Sequence, residues 1–292
     1  MVLSPKGRRL VAIGLAGTGY LLAVKLLLEH GIQNAGGLGG IDALAYWLAA
    51  GTAWHAEPLY RTDIIAVFKY PPLIAQMLAP ASLLPLPAFV WLWRLLELGA
   101  LRVAAGSWVR AGIAMLVWPP IIAELDAGNI HLLMAAVVAL AMRGTASLVA
   151  PSFLLKFASW PLAPIAWLRD RRGALIGLAV AAGAVAISWV LSPSAWRDYA
   201  DFLATTRAPE GWYNLLSAVP VPVRFMVAAA LGVAAIRFVR LAPLAVLLAY
   251  PIVWFHGLAT LVAVITPLPA SSPDERVAVG QGSAAAVPPS DP

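Results

Sequence analysis

In a chain this apolar, a few residues have the chemistry to act on a substrate. Asp42 follows a glycine turn, Gly36-Gly37-Leu38-Gly39-Gly40, and opens a helical pattern. A carboxylate there suits a helix N-cap. It equally suits a general base that takes the proton of an attacking hydroxyl, and the two roles are compatible. Lys69 stands in Phe68-Lys69-Tyr70-Pro71-Pro72 at the mouth of an apolar run, and Lys156 stands inside one, Phe153-Leu154-Leu155-Lys156-Phe157. A charge within such a run is costly and marks function, although a lysine can also snorkel to an interface. A lipid phosphate would suit either ammonium. Asn129, in Asp126-Ala127-Gly128-Asn129-Ile130-His131, reads locally as a turn with a helix cap, and His256 follows Pro251-Ile252-Val253-Trp254-Phe255 as a histidine facing a cavity. The 4 histidines include no pair at ligand spacing, so no metal site is expected. Lys25 has Glu29 at helical pairing distance, and Glu57 and Asp63 read as solvated.

The elements that must position these groups are membrane helices. Of 292 residues, 61% are hydrophobic and 12% charged, with a mean hydropathy of +0.83. Soluble domains carry roughly 25% charged residues, so this chain cannot clothe a soluble surface. Backbone groups in lipid must be satisfied within the segment, which favours helices. The period-2 alternation of a membrane barrel is missing. There are 0 cysteines, which removes disulfide and thiolate chemistry. The net charge of +6 comes from arginines at the ends of apolar runs, the pattern of membrane orientation and not of nucleic-acid binding. No phosphate-binding glycine loop precedes a helix, which disfavours a nucleotide-driven pump.

The expected fold is all-α, a polytopic bundle of about eight to ten helical segments, some short or re-entrant. Residues 1–266 form one transmembrane domain, and 267–292 a disordered tail rich in Pro, Ala, Ser and Val. Leu10–Leu28 reads as a retained signal-anchor with a cytoplasmic N-terminus. Residues 33–70 form a long outer loop in which Leu44, Trp47, Leu48 and Gly51 mark an amphipathic helix lying on the membrane surface. Apolar segments follow at 71–84, 88–105, 111–125 and 129–142. Segment 146–168 is split around Lys156, 175–191 is a clear span, 196–212 is a second polar loop, and 223–236 and 243–265 close the series. Arginines at the start, at Arg169-Asp170-Arg171-Arg172 and at Arg237 and Arg240 predict those junctions to be cytoplasmic, and both polar loops to lie outside.

Taken in order, these motifs resemble glycosyltransferase family 87, membrane transferases of the GT-C superfamily that use polyprenol-phosphate sugars and include mycobacterial phosphatidylinositol mannoside mannosyltransferases. The resemblance rests first on Asp42-Ala-Leu-Ala-Tyr46-Trp47-Leu-Ala-Ala50-Gly51, Pro58-Leu59-Tyr60 and Phe68-Lys69-Tyr70-Pro71-Pro72-Leu73. Gly128-Asn129 resembles a shortened Gly-Gln-x-Asn turn. Lys156 with Pro161 and the arginine cluster resembles a Lys-x-x-Pro helix and its basic exit. Asn214-Leu215-Leu216-Ser217 and Trp254-Phe255-His256 resemble Asn-Gln-Ser and Trp-x-His motifs.

The resemblance implies an inverting, metal-independent hexosyl transfer, with mannose the commoner sugar, from a polyprenyl-phosphate donor to a lipid or glycan acceptor at the outer face of the plasma membrane. No cofactor is implied. Asp42 would be the base and His256 would share that role or orient a substrate. Lys69 and Lys156 would hold the donor phosphate. Tyr46, Trp47, Tyr70, Asn129 and Asn214 would contact substrate, with Trp212 beside them. For Tyr46, Trp47 and Trp212 an interfacial aromatic belt is the alternative. Two other readings stand: a transporter or flippase for a lipid-linked sugar, for which internal repeats would be expected and none is visible, and a shortened non-catalytic relative.

Overall fold

The computed structural model describes residues 40–55, 57–61, 66–205 and 214–268, with Gly7 and Gly17. The signal-anchor 10–28, the Lys25/Glu29 pair, Asp63, Trp212 and residues 269–292 of the tail lie outside the described residues. All regular structure among the described residues is helical.

Helix α1, Ile41–Trp54, starts at Gly40, whose left-handed backbone (φ 79°) turns the chain into the helix. The Gly40 amide donates to the Asp126 carbonyl at 2.5 Å, fixing where α1 begins. Helix α2, Pro72–Leu78, opens on a proline where the missing N–H costs nothing, and a 3-10 turn, Ala79–Leu83, continues it. Helix α3, Leu86–Ala105, ends at Gly106 (φ 83°). The chain then bends by 103° into α4, Trp108–Val117. The Pro119-Pro120 pair ends that run and opens α5, Pro119–Ala127, which Gly128 (φ 66°) terminates. Helix α6 is His131–Met142.

Helix α7, Val149–Leu155, stops at Lys156, whose extended backbone separates it from the 3-10 turn Phe157–Leu162. Helix α8, Ala163–Arg169, leads into α9, Arg171–Leu191, across Asp170. The Asp170 carboxylate caps α9, accepting from Gly173 N–H at 2.8 Å, and accepts from Ala146 N–H at 2.9 Å. Then come α10, Pro193–Thr205, and α11, Val221–Ala234. A short turn, Val239–Leu241, leads to α12, Ala242–Leu248, and a 3-10 segment, His256–Ile265, closes the fold.

Helix α6 is apolar all round and is the centre of the core: Leu132, Met134, Ala135, Val138, Ala139, Ala141 and Met142 are all buried. It packs on α3 and on His256–Ile265. Ala100 and Ala104 of α3 and Ala259 and Ala263 of the 3-10 segment are buried at those contacts. Small side chains let helix backbones approach closely.

Several expectations are corrected. Helix α1 packs into the protein on α2, α3 and the 79–83 turn. Its buried stripe is Ala43, Tyr46, Ala49 and Ala50, and Leu44, Trp47, Leu48 and Gly51 are only half-buried. A surface helix would instead have buried its large apolar residues in lipid. The segment 111–125 is two helices because Pro119 and Pro120 lack the N–H that would continue one. The polar loop 196–212 is helical as far as Thr205. The segment 243–265 breaks between Leu248 and His256, so there are more, shorter segments than expected. Among the described residues one helix, α9, is long and apolar enough to cross a membrane, and the bent pair α3–α4 passes the same test only jointly.

Candidate active site

Four breaks in the helical chain converge and bring five positions together: the start of α1, the end of α5 and the start of α6 on either side of one break, the gap after α7 and the start of the last 3-10 segment. They carry Asp42, Asn129, His131, Lys156 and His256 respectively. Irregular backbone deep in a helical membrane protein persists only where it lines a cavity or is buried in protein. Gly128 lets two breaks touch, because a Cβ there would come within 2.7 Å of the Ala43 Cβ.

Asn129 is the hub. Its Nδ2 donates to Asp42 Oδ2 at 2.7 Å and lies 3.5 Å from His256 Nε2. Its Oδ1 accepts from Ile130 N–H at 2.8 Å, and the Tyr46 hydroxyl, the Tyr70 hydroxyl and Lys156 Nζ each approach it to 3.4 Å. A carboxylate only accepts, so the amide nitrogen must face Asp42. The Trp93 indole holds the Asn129 carbonyl at 3.2 Å. Asp42 is therefore no N-cap: Gly40 holds that position without a side-chain bond, and the carboxylate is turned to Asn129. Asn129 likewise does not cap α6, whose N-cap is Ile130.

Tyr46 and Tyr70 share a 2.9 Å hydroxyl contact. The Tyr60 hydroxyl donates to the Tyr70 carbonyl at 2.9 Å. Tyr60 itself packs on Tyr199 and Phe202 of α10, with ring centroids 5.3 and 5.2 Å away. The Pro-x-Tyr and Tyr-Pro-Pro motifs are thus one device that holds Tyr70 over the hub.

Behind Asn129, Lys156 Nζ lies 2.6 Å from His131 Nε2, and His131 Nδ1 lies 2.8 Å from Glu124 Oε2. The Tyr250 ring faces the ammonium at 5.1 Å. His256 stacks on Trp254, with planes 10° apart. Arg224, buried in α11, donates to the carbonyls of Tyr250 and Pro251 at 2.8 and 2.6 Å. Asn214 Oδ1 accepts from Val253 N–H at 3.2 Å. Asn214 and Arg224 thereby hold the strap that presents His256.

The other expected residues lie elsewhere. Lys69 is exposed beside the hub, where its charge reaches Asp42 and Lys156. Trp47 donates its indole N–H to the Leu84 carbonyl at 2.9 Å and is tied to the 79–83 turn. Sequence reasoning passed over Glu124, His131, Arg224 and Tyr250. For Glu124 and Arg224 a signal existed, since each is a charge inside an apolar run. It also passed over Glu97, which is fully buried in α3 with no hydrogen bond to either carboxyl oxygen among the described residues.

Burial is the largest influence on the Asp42 carboxyl and lifts its pKa above the ordinary value; the Lys156 ammonium and the Asn129 hydrogen bond oppose it. Glu124, His131 and His256 bring one ligand atom each within 4.8 Å of one another, close enough to share a cation. Both ring nitrogens of His131 are engaged, however, one with Glu124 and one with Lys156. A cation there would have to displace the lysine.

The sequence profile of glycosyltransferase family 87 matches residues 68–287. The match takes in Lys69, Tyr70, Asn129, Lys156, Asn214 and His256 and begins after Asp42. The chain belongs to this family and is a glycosyltransferase, in a family of membrane enzymes. No curated protein and no solved structure matches it.

Proposed function

We propose that this transferase moves a hexose, mannose in the first instance, from a polyprenyl monophosphate to a lipid or glycan acceptor at the outer face of the bacterial plasma membrane, with inversion and without a metal. The observation that carries the reading is the pairing of a half-buried carboxylate with a lysine around one amide, Asp42–Asn129–Lys156. Asp42 takes the acceptor hydroxyl proton as that oxygen attacks the anomeric carbon. The bond from that carbon to the phosphate oxygen breaks, and the lipid phosphate leaves with the electron pair. Its charge needs a cation and no proton, which suits Lys156, with exposed Lys69 at the mouth. Tyr46, Tyr70 and His256 border the same space.

Two features support a lipid donor. An apolar groove of about 490 Å³ lies between α7, α8 and α9, and Phe153 and Leu154, just before Lys156, form part of its wall. An 18-residue window of α9 has a mean hydropathy of 2.3, and the helix turns Leu178, Ile187 and Val190 outward. For the side of the membrane, α6 separates His131 at the site from the Arg143 and Arg169 corner. Twelve residues at 1.5 Å each place them about 18 Å apart, which supports an arginine face opposite the site.

Purified protein in nanodiscs, given polyprenyl-phosphate-mannose or a nucleotide-linked mannose, tests the donor class. Transfer from the lipid donor alone, undiminished by EDTA, is expected. Transfer only from the nucleotide sugar, or loss with EDTA, would refute the reading. Movement of the lipid-linked sugar across the bilayer without transfer would favour the transporter.

A further inference from the structure

The transfer chemistry calls for Lys156 but not for the glutamate and histidine behind it. Glu124 and His131 are each 0% exposed. Glu124 lies in the last turn of α5 and His131 is the first residue of α6, so the carboxylate spans the break between the two helices. Its Oε1 accepts the His131 backbone N–H. Its Oε2 lies 2.8 Å from His131 Nδ1. An ammonium can only donate, so His131 Nε2, which faces Lys156, presents a lone pair and the ring hydrogen sits on Nδ1, directed at Glu124. That lone pair faces Lys156 Nζ at 2.6 Å.

An ammonium has three N–H donors. One is spent on His131 and one points to Asn129 Oδ1 at 3.4 Å. The Tyr250 ring closes another side, and it packs edge-on against His131 with centroids 4.9 Å apart. One donor is left.

We propose that Glu124 and His131 are positioning residues, a buried pair that sets the His131 tautomer and thereby holds the Lys156 ammonium with a single N–H directed at a phosphate monoester. The pair touches no substrate and moves no proton. This inference rests on the proposed donor class. With the other tautomer, an Nε2–H would face the ammonium and push it away from the hub.

The test is binding of a polyprenyl monophosphate to the full-length protein in nanodiscs, with the uncharged polyprenol as a reference for folding. Glu124→Gln and Lys156→Met should each weaken phosphate-lipid binding at least tenfold and leave polyprenol binding unchanged. The double variant should bind no more weakly than Lys156→Met alone, because Glu124 acts through the lysine. His131→Gln, which can still donate and accept, should stay within threefold of wild type, while His131→Leu should lose tenfold. This pair decides the matter if Glu124→Gln does not fold. Unchanged binding in Glu124→Gln, multiplied losses in the double variant, or equal affinities for the two His131 variants would overturn the proposal while the donor reading stands. Wild-type protein that binds the phosphate no better than polyprenol would overturn both.

Discussion

Burial raises the Asp42 pKa while Lys156 and Asn129 lower it, and that competition sets the pH range in which the carboxylate can take a proton. A base must be deprotonated to act, so activity is lost as pH falls through its pKa. Because that pKa is raised above 3.8, the acid limb of kcat/KM should lie above the ordinary aspartate range. Asn129→Leu removes a contact that lowers the pKa, so the limb should move to higher pH. An unmoved limb in a pH–rate profile of that variant would show that another group titrates there. Asp42, Lys156 and His256 were legible as candidates because each is an unusual residue type for its local context. Asn129 as the hub was not: its side-chain partners come from residues 87, 27 and 127 positions away, and a local window shows only a turn. Glu124 went unread although the rule that singled out Lys156 applied to it.

Helix breaks, more than helices, build the site. Gly128→Ala would force a positive φ on a residue with a Cβ and drive that atom into Ala43. A loss of about 1–3 kcal/mol is expected, with a larger fractional loss of transfer than of folded protein, since α1 carries Asp42 away from Asn129. Thermal unfolding alongside the transfer assay measures both. Glu97 makes the opposite prediction. A buried carboxyl without a hydrogen bond is a cost, and Glu97→Leu should stabilise the protein by about 1–3 kcal/mol. A lower Tm in that variant would mean that the carboxyl has a partner in the folded enzyme. The break at Pro119-Pro120 carried a signal that the reading of 111–125 as one segment did not use, because a proline pair ends a helix wherever it falls. The burial of α1 was not. Its apolar spacing fits lipid and protein equally well, and the choice fell to the small residues Ala43, Ala49 and Ala50, which let α2 and α3 approach.

At the scale of the whole molecule, α9 is the segment among the described residues whose length and exposure suit lipid. A lysine at Val180, 57% exposed, should cost roughly 2.5–3.5 kcal/mol of insertion. A translocon insertion assay of the 171–191 segment reads this directly, and no effect would place that face in water or protein. The helical class followed from composition, 12% charged residues, together with the missing period-2 alternation of a barrel. The splits at Lys156 and Gly128 were legible, but the further breaks inside 111–125 and 243–265 went unread, since hydropathy averages over them. The account turns on whether Asp42 is the base that this architecture presents to the acceptor. The direct measurement is the single-turnover rate of mannose transfer from polyprenyl-phosphate-mannose by Asp42→Asn in membranes, with the amount of inserted protein measured in the same sample. The account predicts insertion equal to wild type and a rate lower by about 10²–10⁴-fold; a rate at the wild-type level would contradict it.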